Sequence, residues 1–408
     1  MLNRCRDHLF KGVKPPHKWH DRRAVVLHDM TDFCATHASL SSLLEVLSSC
    51  SVKSGARNRL PRRGRISGTG RIEGEGEAWF AAERDEQGYR LPRPDRPRII
   101  VFEDCEQVTL TAFTIVQAPM WTVHLVSCRH VHIDHLTIDN AMTMPNTDAL
   151  DIDGCEAVFV SNSYLSAADD AICIKTTHKP AALRRPARQI MITNCLLRSY
   201  SCAFKIGTET WDDVEDVTVT GCTIFDSNRG IGILSRDGGA MRRLLFSNLT
   251  FACHHAPPCH WGKADPLHIS VRHRDPAITP GVVEQVQFSN MTGVAEGAIN
   301  LHAAEPGWIR DVVISQLQMR QTVSPMTQGH YDVRPPCNPD SPTGMGLDNA
   351  YKLDPKTGEA FGVERYPGGL PGLFARGVEN LQLHNLVINR PAPLPPGWHA
   401  ECVVQLPD

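Results

Sequence analysis

Short runs of alternating hydrophobic and polar residues recur along most of the chain. Nine of these runs begin at Val108, Val131, Val158, Ile190, Val217, Leu244, Val286, Val312 and Leu381. The first six starts are separated by 23, 27, 32, 27 and 27 residues. A period of two is typical of β-strands, and the period of an amphipathic helix is almost absent from this region. The pattern therefore predicts a series of short strands built from one repeated unit.

A strand repeat of this length favours an all-β solenoid, in which each coil stacks on the one before it. The leucine pattern of a horseshoe repeat is missing. Equivalent positions of neighbouring coils should lie about 4.8 Å apart. Five asparagines four places after a unit start are interpreted as a corner ladder: Asn162, Asn194, Asn248, Asn290 and Asn385. Three cysteines three places before a start, Cys105, Cys128 and Cys155, are interpreted as small inward-facing filler.

Charge and composition exclude several classes of partner. The 408 residues carry a formal net charge of −3, which argues against bulk attraction to nucleic acid or anionic lipid. No apolar run reaches the 18 residues that a membrane span needs. Fourteen cysteines without an apolar leader predict reduced thiols in a cytoplasm, or a secreted or periplasmic protein if the written start is misplaced. The oligomeric state has no signal in the sequence.

Two regions depart from the repeat. Residues 1–60 lack the solenoid pattern, and "SLSSLLEVLSSC" is their only helix-like stretch. We interpret them as an atypical N-terminal extension, either a native cap over the first coil or the product of a misplaced start. Residues 61–408 form the β-helix domain. Within it, the Pro- and Gly-rich stretch 321–371 is interpreted as a long loop lying over one sheet and closing one end of a cleft.

Three aspartates mark the strongest candidate site. Asp148 lies in "NTDALDI", and Asp169 and Asp170 lie in "DDAICIK", 21 residues after Asp148. Because 21 residues is about one coil, the two motifs should meet on the same face of neighbouring coils. Crowded carboxylates repel one another, so one of them is held protonated. The cluster fits general acid/base catalysis, and a surface ladder or a calcium site remains open.

These two motifs resemble the N-T-D and D-D motifs of glycoside hydrolase family 28, the polygalacturonases and their relatives. The resemblance extends from "ISGTGRIEGEGEAWF" through "APMWTVHLVSC" to "GLPGLFARGVENLQLHNLVI". It implies a right-handed parallel β-helix, a single-stranded solenoid. It also implies that Asp169 is the general acid and that Asp148 and Asp170 deprotonate the attacking water. Such an inverting pair needs about 6.5–9.5 Å between acid and base, and no cofactor or metal.

The sequence departs from the family pattern at two motifs. Cys202 in "SCAFKIGTET" stands where polygalacturonases carry the histidine of G-H-G. Gly232 and Leu234 stand at the charged positions of the R-I-K motif, which grips the galacturonate carboxylate. The chain therefore resembles a divergent, GTE-bearing branch of the family.

Other residues are candidates for sugar contacts. We predict that Lys205, Glu209, Trp211, Arg236, Asp237 and Arg274 bind substrate, although Trp211 could equally pack into a corner. The insertion "HKPAALRRPAR" brings Lys179, Arg184, Arg185 and Arg188 together without an acid, and such a basic wall beside Lys205 favours a carboxylated sugar. The span holding Cys253, His254, His255, Cys259 and His260 matches no common zinc spacing, so no metal is predicted.

The predicted function is an inverting, exo-acting glycoside hydrolase on pectic or related uronate-containing oligosaccharides. Two alternatives stay open. A polysaccharide lyase on the same scaffold would use a basic residue, for which Lys205 and Arg236 are available. A catalytically silent, carbohydrate-binding solenoid would follow if the loss of the histidine and R-I-K positions abolished catalysis.

Overall fold

The repeat predicted from the sequence is the structural unit of the protein. The computed structural model describes residues 63–85, 88–94, 96–256, 262–324, 329–333, 338–340, 354–357 and 361–406, and the backbone of three short strands before residue 63. All nine predicted unit starts lie side by side in consecutive coils, each paired with the next, from Val108 through to Leu381. The predicted parallel β-helix is confirmed.

Short strands make up nearly all of the regular structure. The first seventeen are β1 (Val26–Leu27), β2 (Met30–Cys34), β3 (Ala38–Ser39), β4 (Arg63–Ser67), β5 (Arg71–Glu73), β6 (Phe80–Arg84), β7 (Arg90–Pro92), β8 (Ile100–Glu103), β9 (Gln107–Thr111), β10 (Thr114–Val116), β11 (Val123–Val126), β12 (Arg129–Asp134), β13 (Thr137–Asp139), β14 (Leu150–Asp153), β15 (Glu156–Ser161), β16 (Tyr164–Ala167) and β17 (Ile172–Thr176). They continue with β18 (Ala187–Thr193), β19 (Leu196–Ser199), β20 (Cys202–Thr210), β21 (Val214–Thr220), β22 (Thr223–Ser227), β23 (Arg229–Ser235), β24 (Met241–Cys253), β25 (Leu267–Val271), β26 (Val283–Ala295), β27 (Ile299–Ala303), β28 (Ile309–Gln321), β29 (His330–Asp332), β30 (Val363–Arg365), β31 (Leu373–Arg376), β32 (Val378–Asn389) and β33 (Val403–Leu406).

Two large sheets form the walls of the solenoid. Sheet A has eleven strands in the order β1-β8-β11-β14-β17-β20-β23-β25-β27-β31-β33, all paired in parallel. Sheet B has eighteen strands and contains the predicted repeat runs. One face of each sheet fills a single apolar core that extends through the coils. The outward side chains of sheet A are buried as well, so other groups cover that face.

The asparagine ladder marks the corner inside sheet B. All five predicted asparagines have φ between 50° and 55°, the left-handed region that asparagine tolerates better than other residues with a side chain. A direct amide contact is present between Asn290 Nδ2 and Asn248 Oδ1, at 2.7 Å. Asn162 instead donates to Asp134 Oδ1 at 2.8 Å. The corner therefore selects asparagine mainly through its backbone conformation.

The cysteine ladder points inward as predicted. Cys105, Cys128 and Cys155 are buried, and the Cys128 N–H donates to Cys155 Sγ at 3.3 Å. Burial raises the pKa of the Cys128 thiol well above its usual range, so this thiol is inert filler between apolar neighbours.

Two further regions bear on the sequence predictions. Strands β1, β2 and β3 pair in parallel with β8, β4 and β5, so part of the extension 1–60 adds a coil that the sequence did not predict; the helix-like stretch lies outside the described residues, apart from its first residue. In the long loop, β29 and β30 pair antiparallel, and Tyr331 packs on Phe374 of sheet A, as predicted for a loop over one sheet.

The described residues include no helix with the length and hydropathy of a membrane span.

Candidate active site

The two acid motifs occupy equivalent places on neighbouring coils of sheet A. Leu150 of β14 pairs with Ile172 of β17, so Asp148 and Asp170, each two residues before its strand, share one position of the coil. Asp169 precedes Asp170 at the same corner. The separation of one coil inferred from the 21-residue spacing is what the structure shows.

These three aspartates form a compact cluster, called the trio below. One carboxylate oxygen from each lies within 4.8 Å of the others. Asp148, Asp169 and Asp170 are only 2%, 6% and 1% exposed, so the trio is sunk into the sheet A face and is not a solvated surface ladder. The oxygens are also closer together than the 6.5–9.5 Å that the inverting geometry led us to expect.

Asp170 is held by three donors. Ser201 Oγ donates to its Oδ1 at 2.9 Å, and the Cys202 N–H donates to the same oxygen at 3.3 Å. The Lys205 ammonium lies 2.6 Å from Oδ2. Burial raises the pKa of Asp170, and the Lys205 charge opposes this rise.

The surroundings of Asp148 favour its protonated form. Burial raises its pKa well above the usual range, and the charges of Asp169 and Asp151 raise it further. Asp169, the most exposed of the three, accepts a hydrogen bond from Asn146 Nδ2 at 3.3 Å. Burial and the neighbouring carboxylates therefore favour a proton on Asp148, whereas the resemblance gave the acid role to Asp169.

A second layer of charges lies beside the trio, and sequence reasoning missed it. Lys175 Nζ is 2.7 Å from Asp151 Oδ1 and 4.0 Å from Asp148 Oδ2. The same ammonium lies 3.9 Å from the ring centroid of Trp121, and the Arg98 guanidinium lies 4.7 Å from that ring. Burial raises the pKa of Asp151 to about 6 despite the Lys175 charge. The signal was present in the alternation of β14 and β17, which points Asp151 and Lys175 away from the core.

Glu209 lies in the same charge network. It is 7% exposed, and although burial opposes it, the charges of Lys175, Arg274 and Lys205 lower its pKa. Arg274 Nε is 3.0 Å from Asp237 Oδ1, and its Nη2 donates to the Thr208 carbonyl at 2.7 Å. The structure thus brings four of the six predicted sugar contacts into one charge network near the trio.

The other two predicted sugar contacts are placed differently. Arg236 is fully buried, and its Nη1 and Nη2 donate to Ser270 and, at 3.2 Å, to the Val333 carbonyl of the long loop. It holds the loop onto sheet A instead of facing the trio. Trp211 packs edge-on against His178 with ring centroids 4.7 Å apart; this favours the corner-packed interpretation over a sugar platform.

On a later coil, the position equivalent to Asp148 and Asp170 is occupied by a residue of a second buried ion pair. Cys202 pairs with Arg229 in the sheet A register. Arg229 Nε lies 3.1 Å from Asp265 Oδ2, with both side chains at least 98% buried. Cys202 Sγ is 3.7 Å from Arg229 Nη1. On the coils after the trio, this position is thus occupied by the Cys202 thiol and the Arg229 guanidinium. The family pattern had led us to look for a histidine there.

The predicted basic wall is neutralised. Its four cations each meet a carboxylate: Lys179 meets Asp153, Arg184 meets Asp212, Arg185 meets Asp104 and Arg188 meets Glu156. The sequence showed no acid inside the insertion, but acids from neighbouring coils supply the counter-charges. The insertion is therefore tied down by ion pairs and does not present a positive surface.

The described members of the Cys- and His-rich span have separate partners. Cys253 is buried in the core, the His254 ring lies 2.5 Å from Asp226, and the His255 ring lies 3.3 Å from Glu296. Cys259 and His260 lie outside the described residues.

Comparison with known proteins agrees with this geometry. The sequence model of glycosyl hydrolases family 28 matches residues 62–252, which include the whole trio. Over this segment the sequence is similar to family 28. The predicted resemblance to family 28 is therefore confirmed, and the matched segment contains every coil that supplies an acid to the trio.

The curated relatives that match this chain are polygalacturonases by name. A probable polygalacturonase of Arabidopsis thaliana is 26% identical over 181 residues, covering 43% of this chain and 38% of the relative. A probable polygalacturonase of Vitis vinifera is 24% identical over 231 residues, covering 51% of this chain and 47% of the relative. The match thus spans less than half the length of these relatives.

A solved structure supports the fold. The family 28 exopolygalacturonase of Yersinia enterocolitica superposes with a TM-score of 0.52 at 16% identity, covering 86% of this chain and 61% of that one. At this identity the likeness extends to the β-helix fold alone.

Proposed function

We propose that this protein is a glycoside hydrolase of the polygalacturonase type, acting on the O-glycosidic bonds of pectic oligosaccharides. The single observation that carries the proposal is the buried trio, whose oxygens lie within 4.8 Å on the sheet A face. Hydrolysis of a glycosidic bond needs one carboxyl group to protonate the leaving oxygen and another to activate water. The trio offers both protonation states at one place.

The charge partners suggest how the roles are divided. Asp169 is the most exposed member and donates the proton to the leaving oxygen. Asp148, its neighbour within the trio, supplies that proton, because burial raises the pKa of Asp148. Asp170, whose carboxylate form is stabilised by the Lys205 charge, removes a proton from the attacking water. After cleavage, the proton on Asp170 returns to the Asp148–Asp169 pair.

The same contacts favour water, not a carboxylate, as the nucleophile. Asp170 is engaged by Ser201, Cys202 and Lys205, and the raised pKa of Asp148 favours its neutral form, which is a poor nucleophile. A direct attack by water inverts the configuration at the anomeric carbon, although the carboxylates lie closer together than in a typical inverting pair. Proton NMR of the first-formed product, read before mutarotation, tests this; a product that retains the configuration would contradict it.

We propose exo action, and the groups that cover the sheet A face support it. Residues of the long loop, Tyr331 and Tyr366, pack with Phe374 over the later coils, and Arg236 binds that loop from below. A cleft blocked at one end admits a chain end more readily than its middle. Release of mono- or disaccharide alone from the first minutes of digestion would support exo action, and a broad ladder of products would contradict it.

The first test of the function is a reducing-end assay on a panel of pectic oligosaccharides. We expect wild type to be active and Asp169→Asn to lose at least about 100-fold in rate, the usual contribution of a positioned proton donor. Asp139→Asn, which makes the same change at an exposed position of β13, should behave as wild type.

The assay also separates the alternatives. Equal sugar binding with no turnover in wild type and Asp169→Asn would indicate a silent binding protein. An unsaturated, ultraviolet-absorbing product would indicate a lyase. The lyase lacks support because Lys205 is paired with Asp170 and Arg236 is buried beneath the loop.

A further inference from the structure

A buried arginine anchors the loop between β13 and β14, which contains Asn146 and Asp148. This residue, Arg96, is 2% exposed. Its Nη1 donates to the Pro145 carbonyl at 2.7 Å and to the Pro119 carbonyl at 3.1 Å, and its Nη2 donates to Asn146 Oδ1 at 2.9 Å. Because a planar guanidinium presents its donors in a rigid fork, these contacts fix both the loop and the orientation of the Asn146 side chain.

The Asn146 amide joins this arginine to the trio. A guanidinium has donors and no acceptor, so the Asn146 oxygen faces Arg96. The NH2 group then faces Asp169, whose Oδ2 lies 3.3 Å away. An amide turned the other way would set its NH2 group against the guanidinium and its oxygen against a carboxylate, and both contacts would be repulsive. Arg96 therefore decides that Asn146 donates to Asp169.

Asn146 acts on the part of Asp169 that other contacts leave unfixed. Ser199 Oγ donates to the main-chain carbonyl of Asp169 at 2.6 Å, which holds the backbone. Among the residues that the structure describes, Asn146 alone donates to the carboxyl group of this side chain. A donor at Oδ2 favours negative charge on that oxygen, so the acid form of Asp169 carries its proton on Oδ1.

We infer that Arg96 is a positioning residue for the general acid: acting through Asn146, it places the proton of Asp169 on Oδ1, the oxygen that delivers it to the leaving group. The inference rests on the proposed function, in which Asp169 donates this proton. It adds which oxygen donates and which residues orient it. Sequence reasoning missed Arg96, because 50 residues separate it from Asn146.

The test uses the dependence of the rate on the leaving group. Cleavage of a pectic oligosaccharide needs the general acid, whereas a dinitrophenyl glycoside of the same sugar releases a phenolate that departs without a proton. We expect Arg96→Met to lower kcat/KM at least about tenfold on the oligosaccharide and less than about threefold on the aryl glycoside. A purely structural role of Arg96 would lower both values by the same factor.

A second variant removes the amide and keeps the arginine. Asn146 has φ 59°, a conformation that glycine adopts freely, so Asn146→Gly fits the backbone and should show the same selective loss. In the double variant, the ratio of the two kcat/KM values should change no more than in Asn146→Gly alone, because the two residues act in series. Additive changes in this ratio would overturn the inference. Equal losses on both substrates in Arg96→Met, or in Asn146→Gly where Arg96→Met does not fold, would do the same.

Arg390→Met is the matched control. Arg390 Nη2 also donates to two main-chain carbonyls, those of Leu370 and His399 at 3.0 and 2.8 Å, several coils from the trio in sheet A. Both kcat/KM values should be unchanged in this variant. If wild type cleaves neither substrate, the proposed function fails and the inference fails with it. A selective loss in Asp169→Asn without one in Arg96→Met overturns the inference and leaves the proposed function standing.

Discussion

The chemistry of single residues at this site is set by their partners more than by their type. Lys205 has the charge expected of a uronate-binding residue, yet its ammonium lies 2.6 Å from Asp170. Asp148 and Asp170 occupy equivalent positions on successive coils, but only Asp170 has an ammonium at hydrogen-bonding distance. Burial raises the pKa of both residues, but the Lys205 charge opposes the rise only at Asp170.

Lys205→Met should move the pH dependence of turnover in a defined direction. The Lys205 charge lowers the pKa of Asp170 against the effect of burial. Without it the pKa of Asp170 rises, and the limb of the kcat/KM profile on which activity increases with pH moves to higher pH. We expect at least about a tenfold loss at neutral pH.

The matched control for this prediction is Lys205→Arg, which keeps the charge and should keep the position of the limb with a smaller loss of rate. Loss of rate in Lys205→Met without any movement of the limb would show that Lys205 acts only on substrate binding.

At the scale of elements, ion pairs between coils decide where the inserted loop lies. Asp153 of β14 accepts from the Thr177 N–H at 2.9 Å and pairs with Lys179 of the insertion. Both side chains are buried. The pair therefore fixes the start of the insertion against sheet A, next to the trio.

Asp153→Asn should lower stability at neutral pH. Although burial opposes it, the Lys179 charge holds the pKa of Asp153 well below its usual range. A carboxyl group with a lowered folded-state pKa stabilises the protein fully above its unfolded value of about 4, and the contribution is lost as pH falls below that value. We expect a loss of about 3–5 kcal/mol in the free energy of unfolding at pH 7.

Denaturant titrations at pH 7, 5 and 3.5 measure the difference in the free energy of unfolding between wild type and Asp153→Asn. This difference should be smallest at pH 3.5. Asp212→Asn, which breaks the more exposed pair with Arg184, should cost less than about 1 kcal/mol. Equal losses in the two variants would contradict the role assigned to the buried pair.

At the scale of the whole molecule, stability comes from coils that each contact mainly their neighbours. Phe246 stacks on Phe288 of the next coil with ring centroids 5.1 Å apart and meets Phe204 of another coil edge-on at 5.5 Å. These rings are buried in the continuous core and couple consecutive coils along the axis of the solenoid.

Phe246→Ala should lower the free energy of unfolding by about 3–5 kcal/mol, because it leaves a cavity between coils. Phe159→Ala removes a ring that is 43% exposed and should change stability by no more than about 0.5 kcal/mol. Urea titration of both variants checks the prediction. A similar loss in both would show that the core rings do not carry the coupling between coils.

The fold was predictable because its physical cause is periodic. Each coil repeats the same alternation, and neighbouring coils add the same contacts, so Val108 and Leu381 obey one rule although 273 residues separate them. The left-handed corner is a local backbone requirement, which is why asparagine marks it. The extension before residue 60 escaped prediction because its strands β2 and β3 pair with β4 and β5 without the repeat's residue pattern.

The sequence by itself determined the solenoid, its register and the meeting of Asp148 with Asp170, since these follow from spacing along a regular coil. Only the tertiary structure decided which charges meet across coils. Pairs such as Arg185 with Asp104 and Arg229 with Asp265 join residues 81 and 36 positions apart, in coils of unequal length. The charge of a site depends on those partners and on burial, and neither is encoded in the identity of a single residue.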